Sequence, residues 1–305
     1  MPRETFKGVC FALLAFGAWG LNPFYFKEVS SIPALEVLAH RIVWAVPLLA
    51  LLIYWAKSWP KVRRAVADPR VLCTLMATTV ILGVNWFLYI YAINSAQILQ
   101  SSLGYYINPL VNVGLGVLVL GERLNRWRAL AILLAAVGVV NLAVTGDHFP
   151  WIALTLAGTF GVYGLIRKVI SVASIEGLFI EAGLLLPVAL GYLVYLAVAG
   201  QSSFSLQDGR TDILLMLAGP VTALPLIWFT SGARRLDYAT IGFFQYIAPS
   251  LHFLLAVFLY DEPFGPAHLI TFACIWTALA IFSVDGLRRS RRGRLPQPQR
   301  LAEGG

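Results

Sequence analysis

This chain has few charged residues and little of what a water-soluble protein exposes. Only 12% of its residues are charged, whereas 59% are hydrophobic and the mean hydropathy is +0.76. A soluble domain carries about 25% charged residues. The scarcity of charge therefore excludes an ordinary soluble domain and predicts an all-α integral membrane protein in contact with membrane lipids.

Sequence motifs of common cofactor and enzyme sites are also missing. The three cysteines, Cys10, Cys73 and Cys274, lie in apolar runs without the spacing of a metal or redox site, so they are expected to be small core residues. The sequence has no Gly-Lys-Ser/Thr phosphate loop and no H-E-x-x-H, G-x-S-x-G or C-x-x-C motif. It therefore predicts no cofactor, no metal, no nucleotide and no enzymatic activity.

Ten apolar runs are long enough to cross a membrane as helices, since a span needs about 20 residues. The predicted spans are residues 6–26, 35–55, 71–93, 99–120, 127–145, 150–169, 175–199, 211–232, 239–260 and 265–285. The first is expected to be a true span and not a signal peptide, because it is too long and carries Trp19, Asn22 and Pro23. An even number of spans places both termini on one side.

Positive charge is concentrated on one side of this topology. Twenty of the 23 lysines and arginines fall there, including those of the predicted loop 56–70 and six in the C-terminal tail. The positive-inside rule makes that side cytoplasmic, so both termini are predicted to be cytoplasmic. This distribution accounts for the net charge of +8 without a nucleic-acid partner.

The ten spans divide into two similar halves. Tyr106 and Pro109 match Tyr246 and Pro249 at an offset of 140 residues. Because five is odd, the second half enters the membrane upside down, which predicts an inverted-topology repeat; the alternative is a likeness of composition alone. The predicted units are five-helix repeats at 1–145 and 146–287 and a basic, disordered cytoplasmic tail at 288–305. A proline inside a helix bends it, so Pro109 and Pro249 are candidate hinges for gating.

Arg41 and Glu181 are ionisable residues inside predicted spans, where such residues are candidates for function. Each lies six residues into its span, from opposite faces, hence roughly 9 Å below opposite surfaces. They would differ in depth by roughly 12 Å in a core about 30 Å thick, which disfavours a direct salt bridge. The hypothesis is that Arg41 serves the outer half of a solute pathway and Glu181 the inner half. The alternative is structural, with Arg41 snorkelling and Glu181 paired with Arg167 or Arg234.

Other carboxylates and one histidine have simpler predicted roles. His40 lies one turn after Glu36, so the pair either relays protons or forms an i,i+4 hydrogen bond, of which the hydrogen bond is the simpler interpretation. Glu122 and Glu262 lie in tight turns before the fifth and tenth spans. Both are expected to cap helices, with the helix dipole favouring their charge.

Amides and aromatic residues at mid-span are candidates for the lining of a pocket. Asn108 and Asn112 share a helix face, and His252 occupies the position of Asn112 in the second half. Such side chains either line a cavity or join helices. Trp86 and Tyr89 belong to a set of mid-span aromatics that either form pocket walls or fill the core.

Four motifs resemble one known family. They are Ser102–Asn112, Ala39–Trp44, Tyr163–Lys168 and Gly242–Ile247. These stretches resemble the EamA branch of the drug/metabolite transporter superfamily, and the likeness covers the chain to about residue 288. The resemblance implies ten helices in two inverted repeats, a central cavity, a bacterial cytoplasmic-membrane location, and export of small metabolites, including amino acids, or of drugs. The residues that it places on the cavity are Tyr106, Asn108, Asn112, Gln245, Tyr246 and His252.

The predicted function is a secondary transporter for a small-molecule solute that works by alternating access. Arg41 would hold an anionic group while aromatic rings contact an apolar part. A rival interpretation, a membrane enzyme acting on a lipid or isoprenoid, requires a cluster of carboxylates or histidines at one interface. A sensor or scaffold requires an output domain. The solute, the direction of transport, proton coupling through Glu181 or His252, and the oligomeric state are left open by the sequence.

Overall fold

The computed structural model describes residues 3–121, 125–146, 148–205, 208–233, 235–236 and 244–293, and within these ranges the regular structure is entirely helical. The helices are α1 (Arg3–Glu28), α2 (Ala34–Trp55), α3 (Trp59–Ala67), α4 (Pro69–Asn94), α5 (Ile98–Leu120), α6 (Arg126–Thr145), α7 (Trp151–Val169), α8 (Ser174–Val198), α9 (Gly209–Ala233), α10 (Ile247–Leu254) and α11 (Pro266–Gly293). The all-α fold is thereby confirmed.

Eight of these helices are long and apolar enough to cross a membrane: α1, α2, α4, α5, α6, α8, α9 and α11. The helix α7 and the segment Ile247–Leu259 are shorter apolar helices. The ninth predicted span, 239–260, agrees with the structure from Ile247 onward, whereas Gln245 and Tyr246 form a turn and residues 239–243 lie outside the described ranges. The total of ten spans therefore stays a prediction.

The predicted loop 56–70 contains a helix, α3, and this corrects the sequence interpretation. Pro60 occupies its first turn, where a proline is tolerated because the backbone N–H there needs no partner within the helix. Val62 and Ala65 are buried, and the Trp59 ring meets Phe179 edge to face at 5.4 Å between centroids. The apolar side of a short amphipathic helix thus packs on the bundle, a pattern that the many charges of this segment obscured.

Packing joins one half of the chain to the other. The contacting pairs are α6 with α11, α5 with α7, α1 with α9, α2 with α9, α2 with α8, α4 with α7, α4 with α8, α1 with α10, and α5 with α10. This set of pairs is unchanged when each helix is exchanged for its counterpart in the other half. The counterparts are α1 and α7, α2 and α8, α4 and α9, α5 and α10, and α6 and α11. Such packing is expected of two related five-helix repeats. The predicted boundaries at 145 and 287 stay predictions.

Glycines allow two of these helix pairs to approach closely. A β-carbon built on Gly219 of α9 would lie 2.4 Å from the backbone carbon and oxygen of Trp44 on α2. One on Gly138 of α6 would lie 3.0 Å from the β-carbon of Cys274. Between the same helices, the Thr271 hydroxyl donates to the Gly138 carbonyl at 2.8 Å. Small residues at interfaces are how membrane helices gain packing energy without a hydrophobic driving force.

The two matched prolines occupy different positions in their helices. Pro109 lies inside α5, as predicted. Pro249 is the third residue of α10, in a first turn whose N–H groups need no intrahelical partner. Gln245 and Tyr246 form a turn before α10, and the π-helical turn Leu255–Leu259 follows it. The hinge role of both prolines stays a prediction.

Candidate functional site

Arg41 is buried near the start of α2, with only 8% of its surface exposed. Its guanidinium carbon lies 4.3 Å from the ring centroid of Trp86 on α4 and 5.9 Å from that of Phe26 on α1. A cation over an aromatic face is attracted by the ring quadrupole, most strongly by tryptophan. The two rings hold the guanidinium in place without neutralising its charge.

Two nitrogens of Arg41, Nε and Nη1, are buried and have no hydrogen-bond partner. None of the carboxylates that the structure describes forms an ion pair with it. The titratable groups that adjoin Arg41 are the phenols of Tyr105, Tyr89 and Tyr25, which carry no charge at neutral pH. A buried charge without a counterion costs several kcal/mol. The surroundings of Arg41 are therefore complementary to an anionic group.

A cluster of rings from five helices adjoins Arg41. Tyr89 of α4 lies between Phe26 of α1, at 5.5 Å between centroids, and Tyr105 of α5, at 5.9 Å. The imidazole of His252 on α10 is nearly parallel to Tyr89 at 5.7 Å and meets Tyr105 at 5.8 Å. Tyr105 continues to Phe160 of α7 at 6.5 Å. We call Phe26, Tyr89, Tyr105, Phe160 and His252 the ring cluster.

His252 adds one unpartnered polar atom to the ring cluster. Its Nε2 lies 3.1 Å from the carbonyl oxygen of Trp19 and 3.2 Å from the Tyr89 hydroxyl. A carbonyl can only accept, so Nε2 carries a proton. The other nitrogen, Nδ1, is buried without a partner. In the neutral imidazole it offers a lone pair to a hydrogen-bond donor.

Glu181 of α8 is completely buried and is bound by two hydroxyl groups. Its Oε1 lies 2.6 Å from the Thr78 hydroxyl of α4, and its Oε2 lies 3.0 Å from the Tyr163 hydroxyl of α7. Arg167, one predicted partner, donates from Nη2 to the carbonyl of Ala173 at 3.1 Å. The other, Arg234, lies outside the described residues.

Tyr106 and Tyr246 are both predicted to face the solute, and this stays a prediction; their contacts lie outside the ring cluster. The Tyr106 hydroxyl is 2.6 Å from that of Ser250, and its ring packs edge to face on Phe272 and Trp276 of α11. Tyr246 precedes α10, is half-buried, and packs against the same large hydrophobic core. The structure does not bring these two rings to Arg41.

The three predicted amides differ in their surroundings. Asn108 is buried, and its Oδ1 has no partner. Asn112 is exposed and lies beside α7, where its Oδ1 would be 3.4 Å from a β-carbon built on Gly161. Gln245 is half-buried in the turn before α10. Their roles in solute binding stay predictions.

The predicted hydrogen bond between Glu36 and His40 is wrong. Both ring nitrogens of His40 lack partners, and its imidazole packs against the Phe204 ring at 5.3 Å. Glu36 instead accepts from the backbone N–H and the hydroxyl of Ser203, at 2.7 and 2.9 Å. The segment between α8 and α9 folds over the start of α2 and supplies better donors than the imidazole.

Glu262 is a helix cap, but of a different helix from the one that follows it. Its two oxygens accept from the backbone N–H groups of Ile98 and Leu99, both at 2.7 Å, at the start of α5. Burial raises the pKa of the Glu262 carboxyl, while these two donors oppose the rise. Its repeat mate Glu122 and the adjacent Arg123 lie outside the described residues.

Sequence reasoning missed Tyr25, Phe26 and Phe160 as neighbours of the site and counted Tyr105 only among the mid-span aromatics. The repeat match selected Tyr106, whereas its neighbour Tyr105 belongs to the ring cluster. Adjacent helical residues point about 100° apart, so only one of two neighbouring tyrosines can face a given partner. One signal for Tyr105 was available in the sequence: it shares a helix face with Asn108, a predicted lining residue.

Comparison with known proteins gives one consistent result. The model of the "EamA-like transporter family" matches residues 6–144. An "uncharacterized transporter" of Vibrio cholerae is 48% identical over 96% of this chain and 97% of its own length. "Protein RarD" of Escherichia coli is 43% identical over 95% of this chain and 98% of its own length. One crystal structure shares the fold with a TM-score of 0.59 at 19% identity, covering 91% of this chain and 97% of its own.

Proposed function

Because this chain belongs to the EamA-like transporter family, we propose that it is a secondary carrier that exports small solutes by alternating access. The solutes in view are aromatic amino acids and amphipathic drug-like molecules. The chain is a multi-pass bacterial membrane protein, and the proposal places it in the cytoplasmic membrane with both termini inside, on the strength of its charge asymmetry.

The unpaired guanidinium of Arg41 beside the ring cluster is the observation that carries this proposal. An anionic group of the solute would accept from Nε and Nη1, which have no other partner. Arginine suits this task because its donors form a rigid fork that matches a carboxylate. An apolar or aromatic part of the solute would then lie against Trp86 and the ring cluster, and a donor group would meet Nδ1 of His252.

The position of the site between the two halves supports alternating access. Arg41, Tyr89 and Tyr105 come from the first predicted repeat, whereas Phe160 and His252 come from the second. The contacting helix pairs mostly join the halves. A rocking of one half against the other would therefore open the site alternately to the two sides of the membrane.

The test uses purified protein with phenylalanine and chloramphenicol as probes. Thermal unfolding in detergent measures binding, because a ligand of the folded state raises its apparent stability, and counterflow in proteoliposomes measures transport. We expect Arg41→Gln to weaken binding by about tenfold or more, since hydrogen bonds to charged groups contribute about 1.5–3 kcal/mol. Arg210→Gln is the matched control, because Arg210 is exposed and pairs with Glu28. Equal binding and transport by wild type and Arg41→Gln would refute the assignment.

A further inference from the structure

We propose that Glu181 is a proton-binding carboxyl that couples solute movement to the proton gradient. This inference rests on the proposed transport function, and it adds an energy source and a second site. Glu181 lies where α8, α4 and α7 meet. The hydrogen bonds around it fit both the charged and the neutral carboxyl.

The partners of Glu181 can be satisfied in either protonation state. In the ionised state, the hydroxyls of Thr78 and Tyr163 both donate to the carboxylate. In the neutral state, the carboxyl proton is donated to the Thr78 oxygen. The Thr78 proton then turns to the carbonyl of Leu75, which lies 3.0 Å away. A hydroxyl both donates and accepts, so no hydrogen bond is lost when the proton arrives or leaves.

Other buried carboxylates in the described ranges have backbone or charged partners. Glu36 and Asp212 each accept from a backbone N–H with one oxygen, and Glu262 does so with both. A backbone N–H can only donate, so each oxygen that it meets must stay an acceptor. Glu176 pairs with Lys61, and Asp285 accepts from Asn125 and lies beside Arg128. The carboxyl of Glu181 is bound by hydroxyls alone.

One of the groups that act on Glu181 is a cation, the guanidinium of Arg167. The groups that act on Glu181 are Thr78 from α4, and Tyr163 and Arg167 from α7. From α3, which also packs on α8, Lys61 is engaged by Glu176. The helix α2 also packs on α8, but none of its described residues is a charged group that acts on Glu181. Nη1 of Arg167 is buried without a partner, so its guanidinium is available to compensate the ionised carboxylate when the proton leaves.

A chain of ring contacts connects the two sites. Tyr163, which binds Glu181, lies one helical turn from Phe160, and their ring centroids are 6.1 Å apart. Phe160 contacts Tyr105 of the ring cluster at 6.5 Å. Proton binding weakens the hydrogen bond from the Tyr163 hydroxyl, because a neutral carboxyl is a poorer acceptor than a carboxylate, and this would loosen the Tyr163 ring against Phe160. This gives the proton and the solute a physical route for influencing each other.

Infrared difference spectroscopy of the protein in proteoliposomes, between acidic and alkaline pH, tests proton binding without a solute. We expect a band of a buried protonated carboxyl that is absent in Glu181→Gln and retained in Glu176→Gln, a buried carboxylate on the same helix. Persistence of the full band in Glu181→Gln would overturn the proposal. Should that variant not fold, Tyr163→Phe serves instead. Loss of a donor to the carboxylate should move the midpoint of the band to higher pH, and an unchanged midpoint would contradict the proposal.

Transport of radiolabelled phenylalanine and chloramphenicol tests the coupling. We expect Glu181→Gln to retain counterflow without a gradient but to lose accumulation driven by a pH gradient. Accumulation at the wild-type level in this variant would refute the role of Glu181. Absence of counterflow in the wild type with both probes would count against the proposed function for these solutes, while the infrared result still decides whether Glu181 binds a proton.

Discussion

Replacement of Glu262 should destabilise the fold, because this carboxylate caps α5 from a distant part of the chain. Two backbone N–H groups donate to it at 2.7 Å, and only 6% of its surface is exposed. Hydrogen bonds to charged groups contribute about 1.5–3 kcal/mol each, and the helix dipole adds to them. Glu262→Ala leaves both donors buried, so we expect a loss of about 3 kcal/mol or more. Glu262→Gln keeps one acceptor oxygen and should lose about half as much.

The assay is reversible unfolding in detergent micelles, followed by tryptophan fluorescence, from which the free energy of unfolding is obtained. Asp261→Asn is the matched control, because Asp261 is adjacent and exposed, and asparagine tolerates its positive φ of 50°. The control removes one negative charge from the same turn and should lose less than about 0.5 kcal/mol. Equal losses in Glu262→Ala and Asp261→Asn would refute the capping argument.

Two further predictions separate packing from solute binding. Gly219→Ala should lower the free energy of unfolding by about 1–3 kcal/mol through overpacking against α2, whereas Gly183→Ala, which meets open space, should not; thermal unfolding compares the two. Tyr105→Phe should weaken phenylalanine binding, because it removes a hydroxyl group near Arg41. Tyr106→Phe should leave binding intact but reduce stability by about 1 kcal/mol, because its hydroxyl bonds within the core. The reverse pattern of binding would contradict the site.

Much of the helical framework follows from the sequence because membrane spans are set by length and hydropathy. The predicted spans 35–55 and 175–199 differ from α2 and α8 by a residue at their ends. For α2, Pro33 and the glutamate in the first turn mark the start. The helix α3 was missed because nine residues, several of them charged, give no span signal. The burial of Val62 and Ala65 and the contact of Trp59 with Phe179 show which side faces the bundle.

The candidate site could be predicted only in part, because helix rotation and distant partners are not local properties. Arg41, Trp86 and Tyr89 were identified by residue type and depth. Tyr105 could not be distinguished from Tyr106, since that choice depends on how α5 is rotated against its neighbours. The donor to Glu36 comes from Ser203, 167 residues away, and no pattern near Glu36 indicates it.

Arg41 and Glu181 are buried ionisable groups that do not neutralise each other. In the described structure the arginine keeps two unpartnered nitrogens, while the carboxyl is bound by hydroxyls alone. A protein selected only for stability would remove or pair such groups, because an unpaired buried charge costs several kcal/mol. Their separation along one chain of rings is consistent with mobile partners, an anionic solute for Arg41 and a proton for Glu181. Arg41 would then be fully satisfied only with the solute bound, whereas Glu181 would gain and lose its proton without loss of a hydrogen bond.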